Sequence, residues 1–294
     1  MQHGLPTAAR AGSPSSDAAR LADLAARIGA VDPDVLLLQE VDHNQRRSGR
    51  VPQWQALARE LRMPYTRFAP FYYGPTTGIH LPARRAVCGR DRGGSPMVIA
   101  AAPAAWMVAP TGCLRLPAFG VATLSKHPIT TWEAIELGNP IPFVERRAAA
   151  RGLAAFRVLD NNRSALLTSV DNLLVVNTHL VSTTPEARAQ LDTLLAELAL
   201  RRGPVLLGGD LNLDPQQLPP AVRPLAGGPT FPAARPRRQL DHLLAVGDRW
   251  ATADTRAAWS HAPAGVRPSR PVPARDGGVV ETGYSDHRLL WADV

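Results

Sequence analysis

Asp210 and Asn212 close the stretch Leu206-Leu207-Gly208-Gly209-Asp210-Leu211-Asn212-Leu213-Asp214, in which an apolar run following a Gly-Pro break drives straight into carboxylate and amide side chains. Residues two apart on a strand project from the same face. Asp210 and Asn212 are therefore expected side by side at a strand end. An acid and an amide so placed suit a divalent cation or a phosphate, because both supply hard oxygen atoms and the amide also donates. A polar turn closing a core strand would use the same residues.

Four other apolar runs carry similar groups: Glu40 after Val35-Leu36-Leu37-Leu38-Gln39, Asn177 and His179 after Leu173-Leu174-Val175-Val176, Asp241 ahead of Leu243-Leu244, and Asp286-His287 ahead of Leu289-Leu290-Trp291. A carboxylate at the tip of a buried strand is costly unless paired or coordinated, which sets Glu40 apart from a surface glutamate. Phosphoester hydrolysis at neutral pH needs a metal to polarise a phosphoryl oxygen, an activated water, and donors for the developing charge. The five tips contain that inventory. Hard carboxylates with no thiolate favour Mg2+ or Mn2+ over a structural zinc. A buried carboxylate is the usual device for fixing a histidine tautomer, so Asp241 is expected to orient His287, leaving Asp286 to face the metal.

The elements that must position these groups follow from periodicity. Ser15-Ser16-Asp17 offers an N-cap to a helix lined by Leu21, Leu24, Ala25 and Ile28, which ends before Asp32-Pro33. Val35-Leu36-Leu37-Leu38 reads as a central strand buried on both faces and ending at Gln39-Glu40. Residues 53–62 and 186–200 read as amphipathic helices, the second opened by Thr184-Pro185. Strands are expected over 120–124, 129–137, 152–159, 165–170, 173–180 and 237–246, with 284–294 a further polar-to-apolar entry into a strand and 148–156 also able to start as a short helix. Residues 46–50 form a basic loop, and 263–278 a Pro/Arg-rich one. Residues 65–116, rich in Gly, Pro and aromatics, are expected to be an irregular insertion near the mouth of the site.

The chain has 294 residues and a net charge of +8, carried by arginine, since Lys126 is the only lysine. With no internal repeat and no clear linker, residues 1–294 are expected to form a single domain, with a monomer favoured. The positive balance favours anionic substrates without choosing among nucleic acid, lipid headgroup and small molecule. Cys88 and Cys113 are too few for a disulfide scaffold and lack metal-ligand spacing; one bridge is compatible with the count and nothing in the spacing supports it. No apolar stretch approaches the roughly 20 residues needed to span a bilayer. A cytoplasmic location is the default expectation, unless a secretory signal lies upstream of Met1.

Leu38-Gln39-Glu40, Asn177-Thr178-His179-Leu180, Gly209-Asp210-Leu211-Asn212, Leu240-Asp241-His242 and Ser285-Asp286-His287 resemble, in order, the motif series of the endonuclease/exonuclease/phosphatase superfamily, the deoxyribonuclease I-like phosphoesterases. The resemblance covers the chain from about residue 17 onward. It implies a four-layer α/β sandwich, two packed mixed sheets flanked by helices. It makes Glu40 the chief metal ligand with Asp286 contributing, and gives catalytic roles to His179, Asp210, Asn212, Asp241 and His287. Asp210 would align or deprotonate water, and Asn177, His179 and Asn212 would contact the substrate phosphate. Family members usually begin with a strand ending in Asn just ahead of a pair like His3-Gly4. That position falls before Met1, so the first strand is expected to be missing from the given sequence, either because the true start lies upstream or because the strand has been lost. Val41-Asp42 and Arg46-Arg47-Ser48 look more like bacterial members related to phospholipid and small-phosphoester hydrolases than like repair endonucleases. The leading expectation is a Mg2+-dependent phosphodiesterase or phosphatase, the alternative a DNA or RNA nuclease, and the second alternative a non-catalytic binding module of the same fold.

Overall fold

The computed structural model describes residues 17–76, 80–83, 85–92, 113–138, 163–247 and 276–294. Helices α1 (Asp17–Gly29) and α2 (Gln53–Glu60) form one outer layer. Leu21, Leu24, Ala25 and Ile28 of α1 and Trp54 and Leu57 of α2 pack on Leu36, Leu38, Val41, Phe68, Ala122 and Leu124 of the sheet beneath. That sheet has the order β1-β5-β2-β3, with β4 also on β2. Its strands are β1 (Val35–His43), β2 (Tyr65–Tyr73), β3 (Leu81–Pro82), β4 (Cys88–Arg90) and β5 (Ala118–Ser125).

The second sheet runs β10-β11-β9-β8-β7-β6. It comprises β6 (Ile129–Glu136), β7 (Ser164–Val170), β8 (Leu173–His179), β9 (Val205–Asp210), β10 (Val222–Pro224) and β11 (Asp241–Val246). Parallel neighbours need a long crossover. The parallel pair β8 and β9 is joined by α3 (Thr184–Ala199), whose Ala187, Leu191, Leu194 and Leu198 cover Leu167, Val176, Val205 and Leu207 as the opposite outer layer. Alternate residues of the same strands fill the space between the sheets: Ala69, Phe71 and Val121 meet Ala134 and Leu166, and Leu37 meets Val175, Leu206 and Ala245. The result is the expected four-layer sandwich. A hairpin of β12 (Asp276–Val280) and β13 (Leu289–Asp293) packs beside it. Among the described residues no helix is long and apolar enough to cross a membrane.

Several expectations change. Residues 65–116 do not open irregularly: Tyr65–Tyr73 is a core strand paired with β5 along its length, burying Phe68 and Tyr73 in the helix-side core and Phe71 and Tyr72 in the core between the sheets. Pro70 is accommodated because the register shifts between Pro70 and Tyr72, a bulge position where proline is tolerated. β1 is not a central strand; among the described residues it pairs only with β5 and runs on past Glu40 to His43. Of the loop expected over 263–278, residues 263–275 lie outside the described residues, and Asp276 onward is strand β12. In the basic loop, the partly exposed Arg47 donates to both oxygens of the fully buried Asp42, at 2.9 and 2.6 Å. The helix or strand expected within 148–159 lies outside the described residues.

Cys88, on β4, is joined to Cys113 ahead of β5, both 1 % exposed, across a separation of 25 residues. Closing a loop of that length removes unfolded-chain entropy worth about 3 kcal/mol. Reduction is therefore expected to lower the midpoint of chemical unfolding. A Cys88→Ser/Cys113→Ser protein should match the reduced wild type and ignore reductant. An oxidised wild type with the same midpoint as the reduced form would show that the bond does not support the fold.

Candidate active site

Glu40 owes its place to a bulge. Leu38 pairs with Ala122 and Val41 with Gly120, so Gln39 and Glu40 together oppose the single residue Val121. Glu40 takes the left-handed conformation, φ 54°, which non-glycine residues seldom adopt. Leu36 and Leu38 face the helices, and after the extra residue the helix-facing positions become Val41 and His43, the latter stacked against Trp54 and Phe68. Regular alternation would have sent Glu40 into that helix-side core. The bulge turns it instead to a cavity of ≈ 140 Å³ lined by Glu40, Asp210, Asp241, Asp286 and His287. Glu40 therefore sits within β1 and not at its tip.

The second sheet supplies the facing groups. β8 and β9 end together, with His179 in register with Asp210. Gly209 lies opposite Thr178 with φ 137°, and a Cβ there would fall 1.9 Å from the Thr178 carbonyl oxygen, so only glycine permits this approach. The strand stops at Asp210, and Asn212 is not its same-face neighbour. Asn212 is left-handed, φ 53°, its N–H donating to Asp210 Oδ1 at 3.0 Å and its Nδ2 to the Leu180 carbonyl at 3.0 Å. Across the sheet, Asp241 pairs with Asp210. The Leu240 and Asp241 N–H groups donate to Thr230 Oγ1, at 3.1 and 3.3 Å.

His287 reaches the cavity from the turn before β13. That turn is tied to the 230–233 loop by hydrogen bonds from the Ala233 N–H to the Asp286 carbonyl, 2.6 Å, and from the Arg288 N–H to the Thr230 carbonyl, 2.8 Å. Its Nδ1 lies 2.7 Å from Asp241 Oδ2, the expected orienting contact. Nε2 of His179 and Nε2 of His287 both point at Asp210 Oδ2, at 3.5 and 3.8 Å. Those gaps exceed a direct hydrogen bond and leave that oxygen open to a water or substrate atom.

Asp210 is 8 % exposed. Burial first, then the Asp241 carboxylate, raises its pKa from 3.8 to about 7, although the His287 cation and the Asn212 N–H pull the other way. For His287, burial disfavours the cation, but the hydrogen bond to Asp241 and the charges of Asp241, Asp210 and Asp286 outweigh it and raise the pKa to about 9. Ligand atoms of Asp210, Asp241 and His287 lie within 4.8 Å of one another. Asp241 and His287 of that group are engaged with each other at 2.7 Å, an arrangement suited to handling a proton. Glu40 and Asp286 line the same cavity.

Asn177 does not fit its expected contact with substrate. It is fully buried, donating to the Leu38 and Ala122 carbonyls at 3.2 and 2.8 Å and accepting from Gln39 Nε2 at 2.8 Å. All three partners belong to the other sheet, so Asn177 is an inter-sheet tie. Gln39, Thr230 and Arg163, whose Nη1 lies 3.3 Å from His179 Nδ1, complete the site and were not expected. Gln39 adjoins Glu40 in sequence, whereas Thr230 and Arg163 stand in stretches with no periodic or compositional signal.

The sequence profile of the Endonuclease/Exonuclease/phosphatase family matches residues 2–287, and the chain belongs to that family. Its members generally hydrolyse phosphoester bonds with a divalent metal. Among solved structures, an endonuclease/exonuclease/phosphatase family protein from Leptotrichia buccalis superposes with a TM-score of 0.53 at 12 % identity, over 94 % of this chain and 92 % of that one. A D. rerio TDP2 humanised by 14 mutations gives 0.51 at 16 % identity, over 95 % and 93 %. These likenesses show the fold. No curated protein matches the sequence.

Both pKa changes make the metal-free protein less stable as pH rises. The cost of an ionised Asp210 is absent below 3.8 and complete above about 7. The gain from the His287 cation is full below 6.5 and lost through about 9. A tenfold change in proton affinity on folding corresponds to about 1.4 kcal/mol. Without metal, thermal stability is expected to fall steadily between pH 5 and 9, and Asp210→Asn and His287→Gln should each flatten their own portion of the curve. Matching wild-type and variant profiles would refute the assignment.

Proposed function

We propose that the protein hydrolyses phosphoester bonds with the help of a divalent cation, Mg2+ or Mn2+, acting on a phosphodiester or phosphomonoester of a lipid or small molecule. The observation that carries this reading is the convergence of His179 and His287 on one oxygen of a buried aspartate, beside the carboxylates of Glu40 and Asp286. The donor set fits a hard cation: it is all oxygen apart from imidazole, and a cation there would offset the negative charge that, after burial, raises the pKa of Asp210. Glu40 and Asp286 are the residues to hold the ion. When bound, it would polarise a phosphoryl oxygen and offset the charge of the cluster.

The protein's own groups divide the remaining work. Asp210, with Oδ1 fixed by the Asn212 N–H and Oδ2 open, orients the attacking water and takes its proton; a pKa near 7 suits a general base at neutral pH. His287, its Nδ1–H donated to Asp241, presents Nε2–H to the charge developing on phosphate or leaving group. His179 approaches the same oxygen from β8. The net charge of +8 also favours a polyanion, so a nuclease is the second reading.

The test compares bis-p-nitrophenyl phosphate, phospholipid vesicles, sugar phosphates and supercoiled plasmid, each with Mg2+ and with chelator. Hydrolysis is expected to need Mg2+ and to fall on the order of 10²- to 10⁴-fold in Asp210→Asn and in Asp241→Asn. Plasmid nicking abolished by Asp210→Asn, with the lipid and sugar esters untouched, would move the assignment to a nuclease. No Mg2+-dependent cleavage of any substrate would overturn both readings, and unchanged Mg2+ affinity in Glu40→Gln would remove Glu40 as principal ligand.

A further inference from the structure

The two histidines that face Asp210 are held by opposite kinds of partner. His287 Nδ1 meets a carboxylate, at 2.7 Å, whereas His179 Nδ1 meets the guanidinium of Arg163, at 3.3 Å. A guanidinium has five N–H donors and no acceptor. An imidazole nitrogen facing it must therefore be the unprotonated one. The ring proton of neutral His179 then resides on Nε2, the atom directed at Asp210 Oδ2.

We propose that Arg163 is a positioning residue that locks His179 as the Nε2–H tautomer, making it a fixed hydrogen-bond donor to the oxygen bound beside Asp210. Arg163 is well placed for this. It immediately precedes β7, its carbonyl accepts from the Leu137 N–H at 2.8 Å, and its guanidinium lies 5.2 Å from the ring centroid of Phe71. Phe71 is 1 % exposed and sits 6.5 Å from the His179 ring, so one buried aromatic backs both partners. His179 is itself only 5 % exposed, so little water competes for Nδ1.

The contrast assigns different work to the two rings within the phosphoester chemistry proposed above, on which this inference rests for its consequence though not for its geometry. A carboxylate on Nδ1 supports a ring that carries and passes a proton. A guanidinium on Nδ1 opposes a second proton there and leaves a donor that stays in place. His179 thus stabilises charge, and proton transfer is left to Asp210 and His287.

The experiment labels histidine with ¹⁵N in the full chain and follows the imidazole nitrogens, with and without Mg2+, assigning His179 by its loss in His179→Gln. In the wild type, His179 is expected to show an unprotonated Nδ1 and a protonated Nε2, and Arg163→Lys, which keeps a donor, should preserve this pattern. Arg163→Met should give averaged nitrogen signals and lower kcat roughly tenfold to hundredfold with KM little changed, while near-UV circular dichroism stays native. A wild-type proton on Nδ1 would overturn the inference, as would an Arg163→Met protein with His179 signals and kcat like wild type. If no phosphoester is cleaved by the wild type yet the Nε2–H pattern holds and responds to Arg163→Met, the functional reading fails and the positioning role stands.

Discussion

The hydrogen bonds of Asn177 hold the two sheets in the one relation that makes a site. Glu40 belongs to one sheet, and His179, Asp210 and Asp241 to the other, so sliding the sheets past each other by one residue would part the acid from its partners. Apolar packing between sheets tolerates such slippage, because it is non-directional. A fully buried amide does not: its bonds to Leu38, Ala122 and Gln39 span the gap beside the bulge that carries Glu40. Each such bond contributes only about 1 kcal/mol net, but leaving a buried partner unsatisfied costs about 1–3 kcal/mol. The amide therefore selects a register more than it adds stability.

Once the sheets are locked, the electrostatics follow from how little water reaches the strand ends. Asp210 cannot ionise freely, because it is buried and faces Asp241 across the sheet. His287 resolves part of that conflict by lying between the two carboxylates as a cation. The remainder stays as an unfavourable concentration of negative charge that a divalent cation would relieve. Stability is given up at the same place where the proposed chemistry would occur, the usual relation between strain and function at such sites.

The outline of this fold was legible in the sequence, because most elements carry strong periodic signals. The helices over Asp17–Gly29, Gln53–Glu60 and Thr184–Ala199, and the strands β5 to β9, lie within a few residues of expectation. β2 was not legible: Tyr-Thr-Arg-Phe-Ala-Pro-Phe-Tyr-Tyr, with a proline at its centre and an arginine, Arg67, that is fully buried, reads as loop by composition. What makes it a strand is tertiary. Arg67 donates to the Thr66 and Arg90 carbonyls and to Asp91, and lies 3.8 Å from the centroid of Trp132. None of those partners is a sequence neighbour except Thr66.

The site was legible as an inventory and illegible as geometry, for a reason that the bulge in β1 makes plain. Strand logic assigns side chains to faces by parity, and one inserted residue reverses every assignment beyond it. Leu36, Leu38, Val41 and His43 share a face only because Gln39 and Glu40 together stand opposite Val121. Apolar residues on both sides of a strand hide such a reversal, since Leu37 and Leu38 are equally content in either core. The one visible cost is the left-handed Glu40, a conformation with no signature in residue type here. The same holds at Asn212, where φ 53° carries the amide off the strand face that spacing alone had given it. Residue identity can name the groups that do chemistry; the directions in which they point depend on backbone irregularities that only tertiary contacts stabilise.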